Sequence, residues 1–146
     1  MTTLVFFVPG APVPYSRSAA ASWGRFIPER NKLWRHAVRV EFRDCWAQVP
    51  GLPAEGEHRH GVVLLLDFHG ANLNADLDNL AKEVLDALNG VAWHDDRQLV
   101  DLRVRRLPKH ETWGAGVCCE VRWLPESDPV WSTLRPAKAR KRKKAA

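Results

Sequence analysis

Cysteine is scarce in this chain: Cys45, Cys118 and Cys119 are the only three among 146 residues, and none are spaced as CxxC. An odd count without that spacing argues against a disulfide framework or a thiolate zinc site and makes a reducing interior the expected setting. Long apolar runs are lacking as well. VVLLL at 62–66 falls far short of the ~20 residues of a membrane span, so no membrane partner is expected. The start, MTTLVFFVPGAPVP, has no basic n-region and does not read as a signal peptide. Internal repeats are missing. Acid is missing from the last twelve residues, RPAKARKRKKAA, which hold seven of the 22 lysines and arginines.

That last absence divides the chain. Residues 1–134 carry 15 basic and 17 acidic groups, so the body is slightly acidic and the tail alone makes the net charge +5. A basic tail suits a polyanion, because each neutralised phosphate releases counterions. Lys138, Arg140, Lys141 and Arg142 are therefore candidate nucleic-acid contacts. The expected organisation is one domain over 1–134, followed by a tail over 135–146 too poor in apolar residues to order itself. A chain of this length buries roughly 70% of its unfolded surface, enough for a core.

Thr3 to Val8 reads as a strand, and PGAPVPYSRS, with three prolines and a glycine in six positions, as an extended loop. Arg17 and Arg25 stand here beside Tyr15 and Trp23, a pairing of cation and aromatic that can grip phosphate and stack on bases; ordinary loop decoration is the competing reading. Gly24-Arg-Phe-Ile is a candidate short strand. A helix is expected over 29–48, opened by Pro28 and stopped by Pro50-Gly51. Its apolar stripe is Leu33, Trp34, Ala37, Val38, Phe42, Cys45, Trp46 and Val49, which makes Cys45 a core residue rather than a nucleophile. Arg35, Arg39 and Arg43 form a charge row on its other side, read as a solvated face. Val62 to His69 is the clearest strand, apolar at both parities and so expected to be covered on both faces. His58 and His60 have a metal-like spacing but read as solvent-exposed histidines in a polar loop. Leu99 to Leu107 alternates, with Arg106 breaking the pattern, and Val117 to Trp123 is a last strand. The order gives an α/β (α+β) fold: a small mixed sheet with two main helices.

The informative stretch is DLDNLAKEVLDALNGVAWHDDRQLV, from Asp76 to Val100. Leu77, Ala81, Val84, Leu85 and Leu88 fall on one helical stripe, and at ~100° per residue Asp78, Lys82 and Asp86 stand in a row on the other side. Asp76 or Asp78 is the expected N-cap, and Asn89-Gly90 the C-cap. Two close carboxylates at a loop-to-helix junction repel unless they share a cation, and oxygen-only ligation with waters retained suits Mg²⁺ or Mn²⁺. Asp95 or Asp96 could add a third carboxylate, if the strand after Asp96 pairs beside the one ending at His69. Such a site activates water for phosphodiester hydrolysis, and Lys82 could neutralise developing charge. The bland alternative is an Asp cap with an Asp78–Lys82 surface ion pair. Spacing alone leaves both open.

The string as a whole resembles the signature of the RusA family of Holliday-junction resolvases. The pattern is carried by Asp76, Asp78-Asn79-Leu80, Lys82, Asp86-Ala87-Leu88, Trp93, Asp95-Asp96 and Gln98-Leu99. The resemblance implies a small homodimeric endodeoxyribonuclease that cuts four-way DNA junctions in recombination and repair with Mg²⁺, Mn²⁺ being an alternative. It implies Asp76, Asp78, Lys82 and Asp96 as catalytic residues, with Asp76, Asp78 and Asp96 as metal ligands and Asp95 secondary. It also implies a bacterial or phage-encoded protein working in the cytoplasm at the nucleoid. Rival readings are a broader branched-DNA nuclease and a non-catalytic DNA-binding module. Two departures stand out: the segment before Asp76, HGANLNA, has no Lys or Arg, and Tyr15 stands where relatives often carry lysine.

Overall fold

The computed structural model describes residues 1–16, 19–21 and 24–134. Six strands and three helices follow in the order β1 (Thr2–Pro9), β2 (Ala19–Ala21), β3 (Gly24–Phe26), α1 (Glu29–Gln48), β4 (Val62–His69), α2 (Leu77–Leu88), β5 (Leu99–Leu107), β6 (Gly116–Trp123) and α3 (Pro129–Leu134). A 3-10 turn at Asp96–Gln98 leads into β5. The main sheet runs β1-β6-β4-β5, and β2 and β3 form a separate hairpin. β6 is antiparallel to β1 and β4, whereas β4 and β5 are parallel neighbours joined through α2. The fold is therefore α+β with a mixed four-stranded sheet.

Strand periodicity sorts the side chains into two faces. Registered rows Leu4–Val121–Leu64 and Phe6–Cys119–Leu66 point inward and are buried. Trp34, Val38 and Phe42 of α1 and Leu80, Val84, Ala87 and Leu88 of α2 close over them. Phe42 meets Phe6 edge-on at 5.7 Å and Trp123 at 6.5 Å. Each such side chain removed from water contributes about 1.5–3 kcal/mol.

The expectation that β4 is covered on both faces is corrected: its burial alternates, with Val62, Leu64, Leu66 and Phe68 buried and Val63, Leu65, Asp67 and His69 partly open. Both helices pack on the same side of the sheet, so one parity suffices for the core. Leu33 and Val49 also leave the expected stripe of α1, Leu33 being 62% exposed. The helix closes its core seam with Trp34, Val38 and Phe42 instead, and Cys45 sits half-buried at the rim with its thiol on the Val5 carbonyl. In β5 a register shift between Val62 and Val63 pairs Leu99 with Val62 but Asp101 with Val63. Leu102, Val104 and Arg106 share one face by strand periodicity, and their pairing with buried Leu64, Leu66 and Phe68 puts that face on the side covered by the helices.

Two elements lie outside the expected set. β2 is a run of three alanines, which carries no strand propensity. α3 begins where the Asp128 carboxylate accepts from the Val130 and Trp131 amides, both at 3.0 Å, with Pro129 in the first turn. That Asp-Pro signal was readable. No helix among the described residues is long and apolar enough to cross a membrane.

Candidate active site

The site is built around α2. Asp76 occupies the N-cap position in extended conformation (φ −68°, ψ 136°), and its carbonyl accepts from the Leu80 amide at 3.0 Å. Its carboxylate makes no capping bond. Asp76 and Asp78 are both exposed, and among the described residues Asp78 accepts from the adjacent Asn79 amide alone, at 3.0 Å. The capping reading thus holds for the backbone position and fails for the side chain. Two water-facing carboxylates remain beside a helix N-terminus whose free amides favour negative charge.

The loop that delivers Asp76 is fixed from β5. Arg106 donates to the Asn72 carbonyl at 2.9 Å and to the Ala75 carbonyl at 2.6 Å, while Gly70 donates to the Leu107 carbonyl at 2.9 Å. The arginine that breaks the alternation of β5 is the clamp on the segment leading into Asp76. Gly70 has φ +67°, and a Cβ there would lie 2.6 Å from the Lys109 side chain, so both conformation and space call for glycine.

The second acidic cluster hangs on its own framework. Asp95 caps the 3-10 turn, its Oδ1 accepting from the Arg97 amide at 2.9 Å. Asp96 accepts from the indole of fully buried Trp93 at 2.8 Å. Buried Gln98 fastens the turn. Its Oε1 accepts from the His94 and Asp95 amides at 2.8 and 3.0 Å, and its amide nitrogen donates to the Glu57 and His60 carbonyls. All four bonding positions of that side chain are used, which is why a polar group can be buried there. The His60 ring pairs with the Leu124 carbonyl at 2.8 Å, and His58 is exposed, so the two histidines form no metal pair.

The expected parallel pairing of β5 beside β4 is present. It does not bring the acids together. α2 has 12 residues, about 18 Å of helix, with Asp76 and Asp78 at its start and Asp95 and Asp96 on the turn beyond its end. Among the described residues no three His, Cys, Asp or Glu side chains are grouped to hold a metal. The donor chemistry of Asp76 and Asp78, oxygen-only and open to water, does fit a hard divalent ion.

Between the two clusters lies the row Asp78, Lys82, Asp86. Asp86 was not singled out for a role, although its i+4 and i+8 spacing from Lys82 and Asp78 was visible. It pairs with Arg35 of α1 at 3.4 Å. Burial pushes the Asp86 carboxyl above its ordinary value; Glu83 and Asp96 add to the rise, whereas Arg35 and Lys82 oppose it. Lys82 pairs with neither flanking carboxylate, and its ammonium lies 3.9 Å from the centre of the Tyr15 ring. The magnitudes favour this arrangement by a small margin: a cation–π contact at an exposed site such as Lys82 is worth about 0.5–1 kcal/mol, an exposed i,i+4 ion pair about 0.2–0.5 kcal/mol.

The remaining expected contacts fall differently. Arg25 lies in β3, and its side chain, together with all of Arg17, is outside the described residues, as are Lys138, Arg140, Lys141 and Arg142. The arginine row of α1 is solvated at Arg43, whereas Arg35 and Arg39 are half-buried and turned to α2. Arg35 grips fully buried Glu83 at 2.5 Å, Arg39 donates to the Ala87 carbonyl at 2.9 Å, and Arg43 pairs with Glu55. The three cysteines are unpaired, and burial raises each thiol pKa, so none is poised as a nucleophile.

A family model described as "Endodeoxyribonuclease RusA" matches residues 9–122, a span that runs from the end of β1 to β6 and contains every residue of the α2 site. No curated protein matches the chain.

Proposed function

The chain belongs to the RusA endodeoxyribonuclease family, the Holliday-junction resolvases, and from that premise we propose that Asp76, Asp78, Lys82 and Asp96 carry out its phosphodiester hydrolysis. Asp76 and Asp78 would hold Mg²⁺, or Mn²⁺ in its place; Asp96, and secondarily Asp95, one of whose oxygens already caps the 3-10 turn, would have to reach that ion from the turn past the far end of α2. The ion supplies a Lewis acid and a nucleophilic water at neutral pH. Lys82 neutralises charge that develops on the phosphate, and the Trp93 indole orients Asp96.

The observation that carries this reading is Asp76 itself. It stands at the helix N-cap, where an aspartate normally spends its carboxylate on the backbone, and it does not do so. The unspent carboxylate stands two residues from Asp78, equally exposed.

Resolution requires two opposed strands to be cut, so two copies related by a two-fold axis would place one site on each. Arg17, Arg25 and the 135–146 tail would grip the DNA arms, on the 1–134 body as catalytic domain. The working location is the bacterial or phage-infected cytoplasm, where such junctions arise.

A labelled four-way junction tests the reading. The full chain should cut it symmetrically with Mg²⁺ and leave it intact in EDTA, and Asp78→Asn should bind the junction with near-normal affinity and not cut. Cleavage that survives Asp78→Asn would remove the site assignment. Equal cutting of flaps and simple duplex would remove the junction preference.

A further inference from the structure

Lys82 is offered two carboxylates by its own helix, Asp78 at i−4 and Asp86 at i+4, and takes neither. We propose that Tyr15 is a positioning residue for Lys82, its ring holding the ammonium out of both ion pairs so that the full charge is available to a DNA phosphate. This rests on the assignment of Lys82 to the reaction.

The placement of Tyr15 is built rather than incidental. Prolines at 9, 12 and 14 restrict the approach, since each fixes its own φ and biases the residue before it toward extended backbone. The Tyr15 amide donates to the Asn79 carbonyl at 2.9 Å, docking the loop on the first turn of α2. Asn31 of α1, only 1% exposed, takes hold on both sides of it: its side-chain amide donates to the Pro14 carbonyl at 3.0 Å, and its Oδ1 accepts from the Ser16 hydroxyl at 3.3 Å. A buried asparagine spent on residues 14 and 16 fixes the backbone that presents residue 15.

The competing partners are separately occupied. Asp86 is drawn to Arg35, which is itself anchored on Glu83. Asp78 accepts from the Asn79 amide. The face of a phenol ring attracts a cation without taking a proton from it or satisfying its hydrogen-bond donors, so the ammonium keeps its charge and its capacity to bind oxygen. A carboxylate partner would offset that charge, take up at least one of the three ammonium donors and, at Asp78, burden a proposed metal ligand. The hydroxyl plays no part in this, so phenylalanine should serve as well.

The test uses the full chain with Tyr15→Phe, Tyr15→Leu and Tyr15→Ala. Proton–carbon NMR without DNA or metal reads the Lys82 side-chain methylenes, assigned by their loss in Lys82→Arg. They should be shifted upfield by the ring in wild type and Tyr15→Phe, and should revert in Tyr15→Leu and Tyr15→Ala. At saturating junction with Mg²⁺, the cleavage rate should fall about tenfold or more in the Leu and Ala variants with KM little changed, and recover with Phe. Tyr15→Leu keeps apolar volume, so if Tyr15→Ala melts early the Leu variant still reports. Wild-type methylenes without the upfield shift overturn the proposal, as does a folded Tyr15→Leu that loses the shift yet cuts at the wild-type rate. If the shift behaves as expected while wild type cuts no junction, the contact stands and the functional assignment of Lys82 falls.

Discussion

Single residues set the acidic turn, and they do so by complete bonding rather than by charge. Gln98 satisfies four backbone groups, and two of its anchors are the Glu57 and His60 carbonyls of the preceding loop. That loop is itself tied by the Glu57 carboxylate, which accepts from the His58 and Arg59 amides at 2.9 and 2.8 Å and from the Arg59 guanidinium. The bond from the Arg59 side chain is the chief reason the Glu57 carboxyl is held down to about 2. A carboxylate with a depressed folded-state pKa stabilises fully above its unfolded value of 4.5 and loses that contribution as pH falls through about 2. Glu57→Gln should therefore lower the urea midpoint at pH 6 and narrow its gap from wild type between pH 4.5 and 2. A constant gap over that range, measured by urea denaturation at each pH, would mean that Glu57 acts through packing alone.

At the scale of elements, α1 and α2 are fastened across their polar sides as well as through the core. Arg35 joins Glu83 and Asp86, and Arg39 reaches the Ala87 carbonyl near the end of α2. Hydrogen bonding to Glu83 raises the Arg35 pKa further, so this cation stays charged at any relevant pH. Glu83 is fully buried, so removing its partner strands a charge. Arg35→Leu should cost about 3–5 kcal/mol in urea denaturation, and pairing it with Glu83→Leu should recover most of that. An Arg35→Leu protein of wild-type stability would show that Glu83 finds other compensation. The same fastening keeps Asp86 from Lys82, so the interface between the helices also conditions the site.

For the molecule as a whole, charge and catalysis are assigned to different parts of the chain. The body is net acidic, and among its arginines Arg35, Arg39, Arg43, Arg105 and Arg106 are committed to partners within the fold. On the proposed reading the tail adds to the grip of Arg17 and Arg25 on a polyanion. Deleting Pro136 to Ala146 should weaken junction binding and flatten its salt dependence, each lost phosphate contact reducing the log–log slope by about 0.7–0.9. Filter binding across a salt titration checks this, and an unchanged slope would assign the grip to the body. The catalytic rate at saturating junction should survive the deletion, because the α2 site lies wholly within the family-matched span.

What the sequence determined by itself was local and periodic. The limits of α1, the span of β4 and the start of α2 after Asp76 were all legible, because Pro28, Pro50-Gly51 and the apolar stripes act over a few residues. The Asp76–Leu99 motif was legible as chemistry for the same reason, since its residues are near one another in the chain. Only the tertiary structure decided how those residues are held. Arg106 clamps a carbonyl 31 residues away, Arg35 seizes Glu83 across 48, and the Tyr15 ring comes to Lys82 through an asparagine on a third element. Periodicity marks Arg106 as a break in β5 and Arg35 as one of a row, but it names no partner for either, because each is one contact between surfaces brought together by the core. The division of the acids between the two ends of α2 is of the same kind: the motif places them close in sequence, and the rigid length of the helix places them apart.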